Sequence, residues 1–232
     1  MGNSDSRSLN FWTLDEYKQF IQTMEPGTRY YLMFEMLFWT GCRIGELLAI
    51  TKADINFEKN QLSINKTYYR TGMQDIITEP KTKQSFRTIE IPEFLKEEIK
   101  KFVDGHYGMP DTERLFPVVQ EAVQHKMKRQ IELAGVKKIR VHDIRHSHVA
   151  YLIEKGVEPL LIRDRLGHKD IRITLNTYGH LYPNHRGRLQ ICWIMKMEML
   201  LPDWEKKEMN VEKAKEKAQI NNLSKFSDNQ IH

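Results

Sequence analysis

The sequence predicts a mainly α chain with a small three-stranded antiparallel β-sheet inserted near its start. Apolar residues recur at helical spacing through most of the stretch from Thr13 to Tyr178. Short alternating runs are confined to residues 61–92. Glycine or proline stands at most places where one pattern gives way to the next.

Thr13-Leu14-Asp15-Glu16 has the form of a capping box and opens a helix to about Met24, which Pro26-Gly27 breaks. A very apolar helix is expected from about Thr28 to Thr40, ended by Gly41. A third begins near Arg43, with Ile44, Leu47 and Leu48 at core spacing. Residues 61–69, 75–80 and 86–92 then alternate, separated by the polar turns at 70–72 and 81–84, and predict the three strands. Pro92 opens a helix to about Val103, and a loop follows. Further helices are expected at Val118–Ala134, Val141–Lys155, Pro159–Leu166 and Ile171–Tyr178, with Gly135, Gly156 and Gly167 at their ends. Beyond about residue 190, an apolar run from Ile191 to Leu201 reads as a helix that needs something to bury against. The charged stretch after it is a solvated helix or has no fixed structure.

The chain has 232 residues, 40% hydrophobic and 29% charged, the balance of a globular protein with one sizeable domain. Its formal net charge is +5, and the excess is local. Residues 137–190 hold eleven Lys/Arg against five Asp/Glu, whereas residues 191–232 hold seven of each. A basic segment upstream of a neutral tail suits a phosphate-rich partner, nucleic acid first. Cys42 and Cys192 lie far apart and form no C-x-x-C, so neither a disulfide framework nor a cysteine zinc site is expected, and a reducing cytosol fits. The apolar run from Tyr30 to Thr40 is too short to span a bilayer.

Four places hold residues able to do chemistry. Arg43 stands between the glycine that ends one helix and the start of the next, where backbone N–H groups and a guanidinium converge on an anion. An arginine that merely pairs with Glu46 or Glu35 would look the same. Lys81, with Lys83 as its rival, lies in a turn between expected strands and would reach a substrate atom to deliver a proton. His142 and Arg145 share a helix face, one to move a proton and the other to fix a phosphate, and His142 with His146 has the i, i+4 spacing of a metal pair that lacks a third ligand. His168 opens a helix that ends at Tyr178, whose phenol is a weak nucleophile unless cations and a base assist it.

Together and in this order, Arg43, a hairpin lysine, His142-x-x-Arg145, Leu166-Gly167-His168 and Tyr178 resemble the tyrosine recombinase (phage-type integrase) family. The likeness runs from about Asn10 to Tyr182. It includes the contexts TGCRIGELLAI, PKTKQSFRTIEIP, HDIRHSHVAYLIEKGV and TYGHLYP, and is strongest to integrases of Gram-positive phages and integrative conjugative elements. It implies the fold of that family's catalytic domain and site-specific DNA recombination at double-stranded attachment sites. Tyr178 would attack a phosphodiester, form a 3′-phosphotyrosyl link and free a 5′-hydroxyl, with neither metal nor ATP. Arg43 and Arg145 would clamp the non-bridging oxygens, Lys81 would protonate the leaving oxygen, His142 would handle the tyrosine proton, and His168 would hydrogen-bond the phosphate. Glu46 would orient the Arg43 region, and His146 would be supporting structure. A homotetramer on DNA, a cytoplasmic location and no membrane association go with this reading.

The resemblance divides the chain into a linker at 1–10, a catalytic domain at 11–185 and a tail at 186–232 that docks on a neighbouring protomer or is disordered. Family members usually carry a DNA-binding domain ahead of the catalytic one, and here the catalytic pattern begins almost at residue 11. Weak, poorly specific DNA binding is therefore expected of this chain by itself. The competing readings are a catalytically inactive DNA-binding remnant or regulator of the same fold, a histidine-cluster metal hydrolase, and a type IB topoisomerase.

Overall fold

A computed structural model describes residues 10–79, 85–106 and 108–182. Eight α-helices and five short strands are found there. Helix α1 spans Leu14–Ile21 and starts with the expected box. The Thr13 hydroxyl accepts from the Glu16 N–H at 3.2 Å, and the Glu16 carboxylate accepts from the Thr13 N–H at 2.8 Å. It stops one turn earlier than expected, where the Thr23 hydroxyl donates to the Phe20 carbonyl. Helix α2 is Arg29–Thr40 and α3 is Ile44–Ala49. Helices α4 (Glu93–Asp104), α5 (Gln120–Ala134) and α6 (Asp143–Glu154) follow, then α7 (Pro159–Leu166) and α8 (Ile171–Tyr178), both with the predicted limits.

The β region differs from expectation in its pairing. Strands β1 (Ile55–Asn56), β2 (Gln61–Ile64) and β5 (Arg87–Glu90) form one antiparallel sheet in the order β1-β2-β5. Strands β3 (Thr67–Thr71) and β4 (Gln74–Thr78) form a separate two-stranded ribbon. The run 61–69, expected as one strand, breaks at Asn65-Lys66. Both side chains there donate to buried Asp54, at 2.8 Å from Asn65 and 2.6 Å from Lys66, which pulls the chain out of line between β2 and β3. The tail at 186–232 and the first nine residues lie outside the described residues.

Two apolar clusters hold the fold. The larger one gathers Trp12, Phe20, Phe34, Phe38, Leu47, Leu62, Ile89, Leu95 and Phe116 with many others, so it ties α1 through α5 to the three-stranded sheet and to the start of α6. Each fully buried side chain of this kind contributes roughly 1.5–3 kcal/mol. The smaller one is Val149, Ile153, Ile162, Leu166 and Tyr178, from α6, α7 and α8. Helix α6 therefore joins two environments, with Ile144 in the large cluster and Val149 in the small one.

Candidate active site

The site forms where α2 and α7 end, because both end the same way. Gly41 and Gly167 follow the last helical residues with φ of 65° and 67°, conformations a side chain resists. At Gly41 an added Cβ would also stand 2.4 Å from the His148 ring. A helix C-terminus presents carbonyls that have no partner within the helix and a partial negative charge. Arg145, only 3% exposed, takes one from each end: Nη1 donates to the Gly41 carbonyl and Nη2 to the Leu166 carbonyl, each at 2.7 Å. Burial, then the charge of Arg43, pushes its pKa down to about 9, which leaves it charged at neutral pH.

Arg43 is the residue before α3, in extended conformation. Its backbone N–H donates to Glu46 Oε2 at 2.8 Å and its Nη1 to Glu46 Oε1 at 2.9 Å, while the side chain stays 41% exposed. The pairing with Glu46 thus leaves part of the Arg43 guanidinium open to solvent. Glu46 is buried and also receives a two-pronged contact from Arg87, at 3.1 and 2.7 Å. Burial alone would raise the Glu46 pKa, but the hydrogen bonds and charge of Arg87, followed by Arg43, hold it at about 2.

Arg87 and Arg165 escaped the sequence reading. Arg87 opens β5, and its Nε donates to the Arg165 carbonyl at the end of α7. Arg165 in turn donates to the Trp39 carbonyl near the end of α2, to the Glu90 carbonyl of β5, and to His148 Nε2 at 3.1 Å. Three arginines thereby fasten two helix ends and a strand around one spot. A signal for Arg87 was present: it shares the strand face of Ile89 and Ile91, and an arginine in phase with core residues needs a buried partner.

Tyr178 ends α8 and is 2% exposed. Its hydroxyl lies 2.7 Å from His146 Nδ1. Burial raises its pKa to about 12 against the lowering charges of Arg145 and Arg43, so the phenol is neutral at pH 7. His168 follows Gly167, with Nδ1 2.9 Å from the buried Thr174 hydroxyl. Desolvation first, then Arg145, Arg43 and Arg87, push its pKa down to about 4, so the ring is neutral at pH 7. His142 is exposed just before α6, its ring 5.5 Å from that of His146 and edge-on to it. Desolvation and the charge of Arg145 lower its pKa.

Five of the six candidate residues, Arg43, His142, Arg145, His168 and Tyr178, are thus brought to one place: Arg145 and Arg43 both act by charge on His142, His168 and Tyr178. Lys81 and its rival Lys83 lie outside the described residues, in the segment between β4 and β5. The end of that segment is anchored at the site by Arg87. Among the described residues no three His, Cys, Asp or Glu side chains form a metal-holding group, and no helix is long and apolar enough to cross a membrane.

Residues 10–185 match the profile of the phage integrase family. The chain belongs to that family. Among curated members it is 30% identical over 197 residues to the ICEBs1 integrase of Bacillus subtilis, covering 79% of this chain and 54% of that protein. It is also 30% identical over 198 residues to a XerC-like tyrosine recombinase of Caldanaerobacter subterraneus, covering 74% of this chain and 51% of the other. The chain spans about half the length of the curated relatives it matches. The fold is that of solved tyrosine recombinases. The Tn1549 transposon integrase, in complex with a circular intermediate DNA, superposes with a TM-score of 0.69 at 21% identity, covering 83% of this chain and 68% of that one. The XerA recombinase does so at 0.61 and 20% identity, covering 81% and 65%. Fold class and family thus follow the sequence expectation.

Proposed function

We propose that this integrase-family chain is the catalytic part of a tyrosine site-specific recombinase that cuts and rejoins double-stranded DNA at the ends of a mobile element. The observation that carries the reading is the buried Arg145 held by two helix ends, with Arg43 and Tyr178 close enough to feel its charge. A fixed cation whose acceptors are neutral carbonyls keeps its full charge for a phosphate. Charge on the non-bridging oxygens grows as the phosphodiester is attacked, so such a cation stabilises the transition state more than the ground state.

In this mechanism the scissile phosphate sits against Arg43 and Arg145. His168 offers the ring nitrogen not engaged with Thr174, and His142 stands at the exposed rim to donate to the same phosphate. Glu46 and Arg87 keep the Arg43 turn in place. The Tyr178 oxygen attacks phosphorus, the bond to the 5′-oxygen breaks, and Lys81 from the β4–β5 segment supplies that oxygen with its proton. The 5′-hydroxyl of a partner strand later attacks the phosphotyrosyl link and releases Tyr178. The bond energy is conserved in the link, so the scheme requires neither ATP nor metal. DNA attachment sites as substrate, a homotetramer on DNA and a cytoplasmic location complete the reading.

A trapping assay tests it. The chain, in chelator, is incubated with a nicked suicide duplex, and a protein–DNA adduct that survives denaturation is sought. An adduct that disappears in Tyr178→Phe is expected. If the duplex carries the element's own ends and the upstream part of the protein is supplied, absence of any adduct would refute strand cleavage and favour a binding remnant.

A further inference from the structure

The sequence expectation gave the tyrosine proton to His142, yet the ring on the phenol oxygen is that of His146. The hydroxyl of Tyr178 and Nδ1 of His146 are 2.7 Å apart, within hydrogen-bond reach of a general base. His142 makes no hydrogen bond through its ring among the described residues and meets His146 only edge to edge. The other ring nitrogen of His146 looks toward Asp143: Nε2 is 4.0 Å from Asp143 Oδ1. Asp143 is buried and fixed by three donors from Arg140, at 2.9, 3.1 and 2.8 Å. A carboxylate on that side favours the tautomer with the proton on Nε2, and that leaves the Nδ1 lone pair facing the phenol.

We propose that His146 is the catalytic base of strand cleavage, taking the Tyr178 proton on Nδ1, with Asp143 as the positioning residue that sets its tautomer. This rests on the strand-cleavage reading above. As the Tyr178 oxygen bonds to phosphorus, its O–H bond breaks and the proton passes to Nδ1. The phosphorus–5′-oxygen bond breaks in the same step, and that oxygen receives its proton from Lys81 as in the reading above. In rejoining, the attacking 5′-hydroxyl gives its proton back to Lys81, and the imidazolium returns its own to the phenol oxygen as the phosphotyrosyl bond breaks. His142 is left at the rim beside Arg145, as a phosphate ligand. The groups facing His146 fit the role. His142, Asp143, Arg145 and Arg140 come from its own helix and the turn before it, His168 from the α7–α8 turn, and Tyr178 from α8. Desolvation and then the charge of His142 hold the ring below its ordinary pKa, so it is neutral and able to accept at pH 7.

Two measurements test this. Single-turnover cleavage of the suicide duplex is compared for the wild type, His146→Ala and His142→Ala, each with tyrosine or a fluorinated tyrosine of lower pKa at position 178. His146→Ala is expected to slow adduct formation by about 10²–10⁴-fold, to erase the acid-side limb of the pH profile, and to regain much of its rate with the fluorinated phenol. A rate within threefold of the wild type, or a loss the fluorinated phenol does not relieve, would overturn the assignment while leaving Tyr178 as the nucleophile. No adduct from the wild type would defeat strand cleavage itself and this role with it. Without DNA, nitrogen NMR of the His146 ring is expected to show the Nε2–H tautomer and a shift at Nδ1 in Tyr178→Phe. An Nδ1–H tautomer, or a ring indifferent to Tyr178→Phe, would also overturn it.

Discussion

Arg145 and Tyr178 feel each other's charge in one site but are held in different ways. Arg145 is pinned from both sides, by the Gly41 carbonyl after α2 of the large cluster and by the Leu166 carbonyl of α7 in the small one, beside the Arg87–Glu46 pair. Tyr178 is seated in a cluster of five buried residues carried by α6, α7 and α8. More apolar burial thus stands behind Arg43, Glu46 and the Gly41 carbonyl than behind Tyr178. A segment held by few apolar contacts opens at lower free energy than the rest. Under the proposed mechanism the cationic half would serve as a template, and Tyr178 would be the part more readily displaced.

The severest way to break the comparison is at the template itself. Arg145→Ala should cut adduct formation by about 10²–10³-fold or more and leave the Gly41 and Leu166 carbonyls unpaired, each at a cost of about 1–3 kcal/mol. Trapping kinetics and urea unfolding read the two effects separately. Next is Glu46→Gln, which strips the buried partner from Arg87 and should cost about 3–5 kcal/mol. The same contact predicts a pH effect. The Glu46 pKa is lowered from 4.5 to about 2 in the fold, so its stabilisation is full above the unfolded value and is lost as pH falls through about 2. Urea midpoints measured downward from pH 6 should show the wild type losing stability in that window and Glu46→Gln losing less.

Smaller changes sharpen the contrast. Leu47→Ala in the large cluster and Ile162→Ala in the small one each remove a fully buried side chain, at about 2–5 kcal/mol. The first should lower the whole unfolding midpoint. The second should chiefly speed hydrogen exchange in α7 and α8, with α2 little changed; equal acceleration in α2 would erase the distinction. Least of all, Asp170→Ala removes the side chain that accepts from the Arg172 N–H at the start of α8, a loss of about 1 kcal/mol. It should fray that helix in exchange measurements without moving the midpoint of the template.

The helices were legible because their ends are written locally. The Thr13–Glu16 box, Gly41, Pro159 and Gly167 act through the backbone of their own turn. The strand break at Asn65-Lys66 was not legible, since it depends on Asp54 eleven residues upstream of Asn65. In the site, Arg43, Arg145, His168 and Tyr178 were found through a resemblance that their order supports, and the structure gathers them. Arg165 was missed because its partners are the Trp39 and Glu90 carbonyls and buried His148, and nothing near it in sequence announces a carbonyl. His146 was placed as support because it fits a second histidine that often follows the arginine in the resembled family, whereas its contact with Tyr178 is 32 positions away.

The carbonyls that hold Arg145 have a consequence for anyone who would move this site to another protein. Its two acceptors belong to the main chain: Gly41 has no side chain, and that of Leu166 is apolar and carries no charge. Copying the ionisable residues onto a new scaffold would transfer the cation without its cradle, and the guanidinium would seek the nearest carboxylate. What has to be transplanted is a pair of helix endings at a fixed separation; the arginine is then the simplest part to supply.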